Sequence, residues 1–340
     1  MTRESLERSP RLGLARDALA PRRPWVVGGT IRDALLGRPL EDLDLVVEDD
    51  PRGAAIELAH ACDGHAFELS EEFGAWRVVA PDRSWQADVT PLRGATIETD
   101  LALRDFTVNA IATPLAGGDL TDPHGGVADL EAGVLRAVGE TAFRDDPLRT
   151  LRMARFACEL GFDVDERTRV LARDDAGMLS AVSPERSFYE LRRLVTSRDP
   201  LAGLRLMEEA GVLAVLLPEL EALKGVEQNP YHHHDVWGHT LEVLDQLVEV
   251  ECGDRNRDAE HHQHGYATGD SKSSTRDAHA TIVTAQSRLA AQSGRSRYAS
   301  AALNLASVAL PGTSSASEST LSGTSTVFWA SCRSRGSSST

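Results

Sequence analysis

Two aspartates stand one residue apart in the run Asp42-Leu43-Asp44-Leu45-Val46-Val47, which reads as a β-strand. Strand side chains alternate between faces, so both carboxylates point one way and Leu43, Leu45 and Val47 the other. Carboxylates held this close repel unless a cation sits between them. Hard oxygen ligands of this kind suit Mg²⁺, which takes one or two carboxylates together with substrate phosphates. Just upstream, Val26-Val27 ends in Gly28-Gly29, and a helical run from Thr30 to Leu36 is closed by Gly37. Paired glycines let backbone N–H groups approach an anion, and the helix start adds partial positive charge. Taken singly, the glycines read as a tight turn and the acids as solvent-facing ends of a strand. Their order within one stretch is what points to phosphate chemistry.

Three further constellations follow. The strand Ser84–Thr90 carries Asp88 on the face opposite Trp85, Ala87 and Val89, making it a candidate third carboxylate beside Asp42 and Asp44. The segment Arg104-Asp105-Phe106-Thr107-Val108-Asn109-Ala110-Ile111-Ala112 offers Arg104 as a planar fork for a phosphate or ribose, Asp105 to fix that arginine, and Asn109 for sugar hydroxyls. Phe106, Val108 and Ile111 read as core. In Asp145-Asp146-Pro147-Leu148-Arg149, Asp146 is a good helix N-cap and Pro147 a good first helical residue. Arg149, Arg152 and Arg155 repeat every third residue and form a basic ridge. An acid can accept from an exocyclic amine and an arginine can donate to a ring nitrogen or carbonyl, so Asp146 and Arg149 could read the edge that cytosine and adenine share.

The order GG-x-x-R-D-x-L-L-G, D-x-D, RDFTVNAIA, and then the acid-x-x-Arg element resembles the class II CCA-adding enzymes and bacterial poly(A) polymerases, over about residues 24–250. The resemblance implies an α/β nucleotidyltransferase head, a mixed five-stranded sheet with helices, followed by an all-α neck and body. It implies transfer of CMP and AMP from CTP and ATP to a tRNA 3′ end, with Mg²⁺ as cofactor and pyrophosphate released. Asp42 and Asp44 would hold metal and Asp88 assist, three acids on adjacent strands being able to serve two metals. Gly28, Gly29, Arg32, Arg104, Asp105 and Asn109 would bind triphosphate and sugar. Asp146 and Arg149 would read the base, with Arg152 and Arg155 facing the phosphates. Leu103 replaces the first of the two arginines usual before Asp105. The segment between Asp88 and Arg104 is short, which leaves a CC-adding specialist open beside an A-adding enzyme, a poly(A) polymerase or an inactive RNA-binding remnant. Ser183-Pro184-Glu185-Arg186 with Glu190 resembles the family's E-R-x-x-x-E helix start, and Arg186, Arg192, Arg193 and Arg198 could contact tRNA backbone. Gln228 to Leu241 resembles the opening of an HD-type domain, but no later His-Asp pair in helical context completes a metal site.

The elements that must position these residues are legible from periodicity. Strands are expected at 24–27, 42–47, 66–69, 75–80 and 84–90, with Val134–Val138 closing the sheet. Pro51 opens a helix through Cys62, and Asp122 to Leu130 is a turn leading into a helical turn. From Asp165 to Leu223 the reading is helical: Asp165–Ala176, Pro184–Thr196, Pro200–Ala210 and Val212–Leu223, punctuated by Gly and Pro. The expected divisions are an arm or short helix at 1–23, the head at 24–140, the neck at 141–225, the start of a truncated HD-like body at 226–250, and a tail at 251–340. That tail is either low-complexity and disordered or, the favoured reading, a frame-shift product: residues 271–340 hold 19 serines against 8 in 1–270.

Composition sets bounds on partners. With 340 residues and 41 % hydrophobic content, two or three domains with a sizeable core are expected. The net charge of −16 argues against an RNA partner only if it is uniform, and an acidic body can hold a local basic groove. Of the 36 basic residues, only Lys224 and Lys272 are lysine, a bias that points to a GC-rich gene. Cys62, Cys158, Cys252 and Cys332 lack C-x-x-C spacing, which fits reduced thiols in the cytoplasm. No run of 18 apolar residues occurs, so no membrane span is expected, and no stable protein partner is implied.

Overall fold

The hydrophobic alternation around Asp42 becomes the centre of a mixed sheet. The computed structural model describes residues 6–246 apart from Glu7, Glu72, Arg198 and 228–232, and the chain divides between Glu221 and Ala222 into two units. In the first unit, helix α1 (Pro10–Leu19) is capped by the Ser9 hydroxyl and buries Leu12, Ala15 and Leu19. Of the two forms expected for the leading segment, residues 10–19 take the helix. Strand β1 (Trp25–Val27) leads into helix α2 (Gly28–Leu35), β2 (Asp42–Val47) and helix α3 (Pro51–Ala61). Then come β3 (His65–Ser70), β4 (Ala75–Val79), β5 (Gln86–Pro91), α4 (Ile97–Ala102) and β6 (Ala112–Pro114). The sheet order is β3-β4-β5-β2-β1-β6. Only β2 and β5 run parallel; the other neighbours are antiparallel.

The head is thus mixed as expected, with six strands rather than five. The extra strand β6 is three residues ending in Pro114 and carries no alternation, so nothing in its sequence marks it. It pairs with β1 and takes the sheet edge that Val134–Val138 was expected to close. With that edge filled, β7 (Val134–Leu135) pairs in parallel with β8 (Asp163–Val164) in a separate two-stranded ribbon. Between β6 and β7 lies helix α5 (Gly126–Ala132), whose first N–H groups, those of Gly126 and Val127, donate to the Asp122 carboxylate at 2.7 and 2.9 Å.

The neck follows as α6 (Ala142–Asp145), α7 (Arg149–Leu160), α8 (Glu166–Asp175), α9 (Pro184–Val195), α10 (Pro200–Glu209), α11 (Val212–Leu216) and α12 (Pro218–Glu221). Asp165, Ser183 and Asp199 cap α8, α9 and α10, each accepting from an N–H three residues on. Pro218 splits the last expected helix in two. Helix α7 buries Leu151, Met153, Ala154, Phe156 and Ala157 and packs against α9 and α10.

In the second unit, residues 236–246 are helical. Asp235 caps this helix, accepting from the N–H groups of Gly238 and Gly225 at 2.7 Å each. Those bonds hold its carboxyl below the ordinary range. The part of the HD-like opening before His233 and all of 247–340, the expected tail included, lie outside the described residues. Among the described residues no helix is long and apolar enough to cross a membrane.

The tightest backbone approach is at Gly126, where a Cβ would meet the Thr107 carbonyl oxygen at 2.1 Å. Backbone cannot swing aside as a side chain can. Gly126→Ala is therefore expected to cost about 2–3 kcal/mol, the upper range for overpacking, read as a lower urea midpoint at unchanged slope.

Candidate active site

The parallel register of β2 and β5 sets Asp44 opposite Asp88 and Asp42 opposite Gln86. Asp42 is exposed, while Leu43 and Leu45 on the other face are buried, as the alternation requires. Gln86 Nε2 donates to Asp42 Oδ1 at 2.8 Å. Thr30, fully buried, fastens α2 to this strand: its hydroxyl donates to the Asp42 carbonyl at 3.2 Å and accepts from the Asp44 N–H at 2.6 Å.

The two glycines are there for room. Gly28 has φ +60°, and a Cβ on it would lie 2.8 Å from Arg104 Nη1; one on Gly29 would lie 2.9 Å from Asp44 Oδ2. The expected open phosphate cradle is corrected here. Gly28 N–H donates to the Ile111 carbonyl (3.1 Å) and Gly29 N–H to Asp44 Oδ2 (2.8 Å), so both donors are already used by the fold. The positive charge at this mouth comes from Arg32 and Arg104.

Burial, reinforced by the negative charge of Asp88, pushes the Asp44 carboxyl up to about 6, against the pull of Arg104 and Arg32. A carboxylate whose charge is disfavoured in this way, beside the accessible oxygens of Asp42, fits a hard divalent cation. The expected third ligand is arranged differently. Both oxygens of Asp88 are held by Arg77 of β4, Nε at 2.7 Å and Nη2 at 2.8 Å. Among the described residues no three acidic, histidine or cysteine side chains converge as a metal group. The pairing draws the third acid toward β4, away from the expected three-acid cluster.

The arginine partners are also redistributed. Asp100, 1 % exposed, rather than Asp105, fixes Arg104, through Nε at 3.0 Å and Nη2 at 2.9 Å, and it also takes Arg93 at 3.0 Å. Asp105 turns to the neck, pairing with Arg152 at 2.7 Å and accepting from Asn109 Nδ2 and the Phe106 N–H. Despite its burial, Arg152, Asn109 and Arg149 hold the Asp105 carboxyl below the ordinary range. Asn109 is buried, and its Oδ1 accepts from Arg32 at 2.7 Å, so neither end of its amide is open to a sugar as expected.

The basic ridge of α7 is mostly internal. Arg149 donates to the carbonyls of Leu103, Arg104 and Ala142 at 2.7, 3.3 and 3.1 Å, and it does not pair with Asp146. Arg155 is 2 % exposed and bound to Glu190 and Glu159, so it faces no phosphate. Arg152 keeps the most exposure of the three. Arg155 and Arg152, with Arg32 from the head, lie over the Phe156 ring at 4.0, 5.4 and 5.3 Å. Asp146 caps the turn before α7, accepting from the Leu148 N–H at 3.3 Å, and takes Arg186 of α9 at 3.1 Å. Two members of the E-R-x-x-x-E pattern thus anchor α9: Arg186 to Asp146 and Glu190 to Arg155. Arg193 pairs with Glu159, Arg192 is exposed, and Arg198 is outside the described residues. A groove of about 520 Å³, lined by Arg32, Asp42, Glu159, Arg193 and Thr196 among others, opens between the acids and the neck.

Sequence reasoning missed Thr30, Arg77 and Asp100. Asp100 and Arg104 stand four apart at a helix end, a spacing that could have exposed the pair. Arg77 alternates in an ordinary strand and gives no signal by itself.

The chain is similar to known proteins. A model described as the poly A polymerase head domain matches residues 24–96 and 81–136, and one described as the probable RNA- and SrmB-binding site of polymerase A matches residues 161–224. The multifunctional CCA protein of Xanthomonas campestris pv. campestris strain B100 is 41 % identical over 247 residues, covering 68 % of this chain and 60 % of that protein. The CC-adding tRNA nucleotidyltransferase of Geobacter sulfurreducens is 43 % identical over 196 residues, 56 % of this chain and 45 % of its own length. The chain therefore spans less than two thirds of either relative. A crystal structure of a tRNA nucleotidyltransferase complexed with a primer tRNA and an incoming ATP analog superposes with TM-score 0.58 at 27 % identity, over 72 % of this chain and 70 % of that one.

The raised Asp44 carboxyl has a measurable consequence for stability. A group whose value rises from 3.8 to about 6 on folding contributes stability below pH 3.8 that is lost as pH climbs through 6. In metal-free buffer, Asp44→Asn is expected to melt above the wild type at pH 8, with the gap closing below pH 4, by differential scanning calorimetry.

Proposed function

Because the chain belongs to the poly(A) polymerase and tRNA nucleotidyltransferase family, we propose that it extends a tRNA 3′ end, adding CMP and AMP from CTP and ATP. The observation that carries this reading is the placement of Asp42 and Asp44 on one face of β2, against the glycine turn and beneath Arg104 and Arg32. The primer 3′-hydroxyl oxygen bonds to the α-phosphorus of the nucleotide. The bond from that phosphorus to the bridging oxygen breaks, and pyrophosphate leaves with the electron pair, while the hydroxyl proton passes to the acidic face or to water. Magnesium held by Asp42 and Asp44 would supply charge neutralisation and Lewis-acid polarisation when bound.

The chain's own residues orient and select. Arg104, steadied by Asp100, and Arg32, steadied by Asn109 and Asp33, hold the triphosphate at the glycine turn. Gly28 and Gly29 leave the room that Arg104 and Asp44 occupy at that approach. Arg152, fixed by Asp105, offers the neck's positive charge to the same cleft. Asp146 accepts from the exocyclic amine of cytosine or adenine, and Arg149 donates to the ring, giving up carbonyl contacts with Leu103 and Arg104 to reach it. Arg155 acts behind this layer, tying α7 to α9 through Glu190. The four scattered cysteines, without C-x-x-C spacing, support a cytoplasmic location for this activity.

Two readings compete on specific observations. The short link between β5 and Arg104, together with the CC-adding relative, favours a CC-adding specialist. The engagement of both Asp88 oxygens by Arg77, with no three-acid cluster among the described residues, favours an RNA-binding protein without transfer activity. Incubation of a tRNA transcript with labelled CTP alone, ATP alone and both separates them. The expected result is CMP incorporation that falls by about a thousandfold in Asp42→Ala, with AMP added only after CMP. CMP incorporation without AMP identifies the CC specialist. A gel shift with tRNA and no incorporation by the wild type identifies the binding protein.

A further inference from the structure

Three features of the acid face bear on how it meets a cation. Asp88 lies in register with Asp44, one strand away and on the same face. Both Asp88 oxygens accept from a single guanidinium, Arg77, in a two-pronged contact at 2.7 and 2.8 Å with each side chain only about a quarter exposed. Arg77 itself is placed by the β4–β5 ladder, where it is the register partner of Asp88. The pair therefore needs no loop or rotamer to find it; the sheet sets it. A fork-to-carboxylate pair of this geometry is stronger than a single charged hydrogen bond, and its half-buried position shields it from water and salt.

We propose that Arg77 is a latch on Asp88, a positioning residue that holds the third acid off the cation so that Asp42 and Asp44 alone bind it. This rests on the reading of Asp42 and Asp44 as the metal-binding pair. Asp42, Asp44, Asp88 and Arg77, the acid face as the sheet builds it, carry a net −2 that a single divalent ion neutralises, with Arg32 and Arg104 at its mouth. Without Arg77 the face would carry −3 and gain an oxygen ligand, and both changes tighten divalent binding, since affinity at such sites follows ligand number and charge. With the latch, the ion is held by two carboxylates and completes its shell with the nucleotide's phosphates, so it can arrive and leave with the nucleotide and its pyrophosphate.

The test uses the full chain and Mn²⁺ as probe, with free Mn²⁺ counted by electron paramagnetic resonance. Arg77→Met is expected to bind Mn²⁺ about tenfold more tightly than the wild type. The double variant Arg77→Met/Asp88→Asn restores the wild-type net charge and both wild-type ligands, and is expected to return within about threefold of the wild type. If the double variant instead binds about tenfold more weakly than the wild type, Asp88 is a ligand despite Arg77 and the latch is wrong. Unchanged binding in Arg77→Met overturns it equally. Should Arg77→Met unfold, as circular dichroism would show, Arg77→Lys keeps the charge without the fork and is expected to tighten binding about threefold; no tightening there also refutes the latch. Asp44→Asn separates the two levels of the argument. Loss of Mn²⁺ binding in that variant supports the metal pair whatever becomes of the latch, and undiminished binding removes both.

Discussion

The ion pair between Asp105 and Arg152 is the joint on which the site depends. Asp105 belongs to the segment after the head's last active-site strand, and Arg152 lies on the first long helix of the neck. From this pair a continuous set of contacts runs back through Asn109 and Arg32 to the glycine turn. Asp105 is buried while Arg152 keeps partial exposure, so it is loss of the arginine that leaves an uncompensated charge inside the protein. Arg149 reinforces the joint by donating to three backbone carbonyls, two of them at Leu103 and Arg104. The helix that would read a base and the arginine that would hold phosphates are therefore positioned by the same few bonds.

Much of the head was legible because its signals are local. Alternation in residues 42–47 places two acids on one face, and the register with β5 brings Asp88 alongside. Pro51, Ser183 and Pro184 mark helix starts that form within a residue or two of expectation. Strand β6 was illegible because three residues ending in proline carry no period, and its pairing displaced Val134–Leu135 to a separate ribbon.

The site was legible in its membership more than in its wiring. Residue types and order named Arg104, Asp105, Asn109 and the arginines of α7, but which acid meets which arginine is a matter of three-dimensional distance. Asp100 has no role in the sequence reading, yet it is almost wholly buried and serves two arginines. Arg155 read as a surface charge and is internal, matched by Glu190 and Glu159. The glycine turn read as an anion cradle, although its N–H groups are bonded to Ile111 and Asp44. In each case the burial of a charged group demanded a partner, and only the fold shows which was nearest.

The near-absence of lysine, noted at first as a mark of gene composition, reaches further once the joints are seen. Among the described residues, the cations that fasten head to neck or steady the acid face are guanidinium groups, which hold their proton far into the alkaline range, whereas an ammonium begins to surrender its own near pH 10.4. The anionic halves, Asp100 and Asp105, are held below their ordinary values, so their contribution persists above the carboxylate range and drains away only as acid protonates them. The molecule is thus lopsided toward pH: its clasps stay shut in base and come undone from the carboxylate side alone.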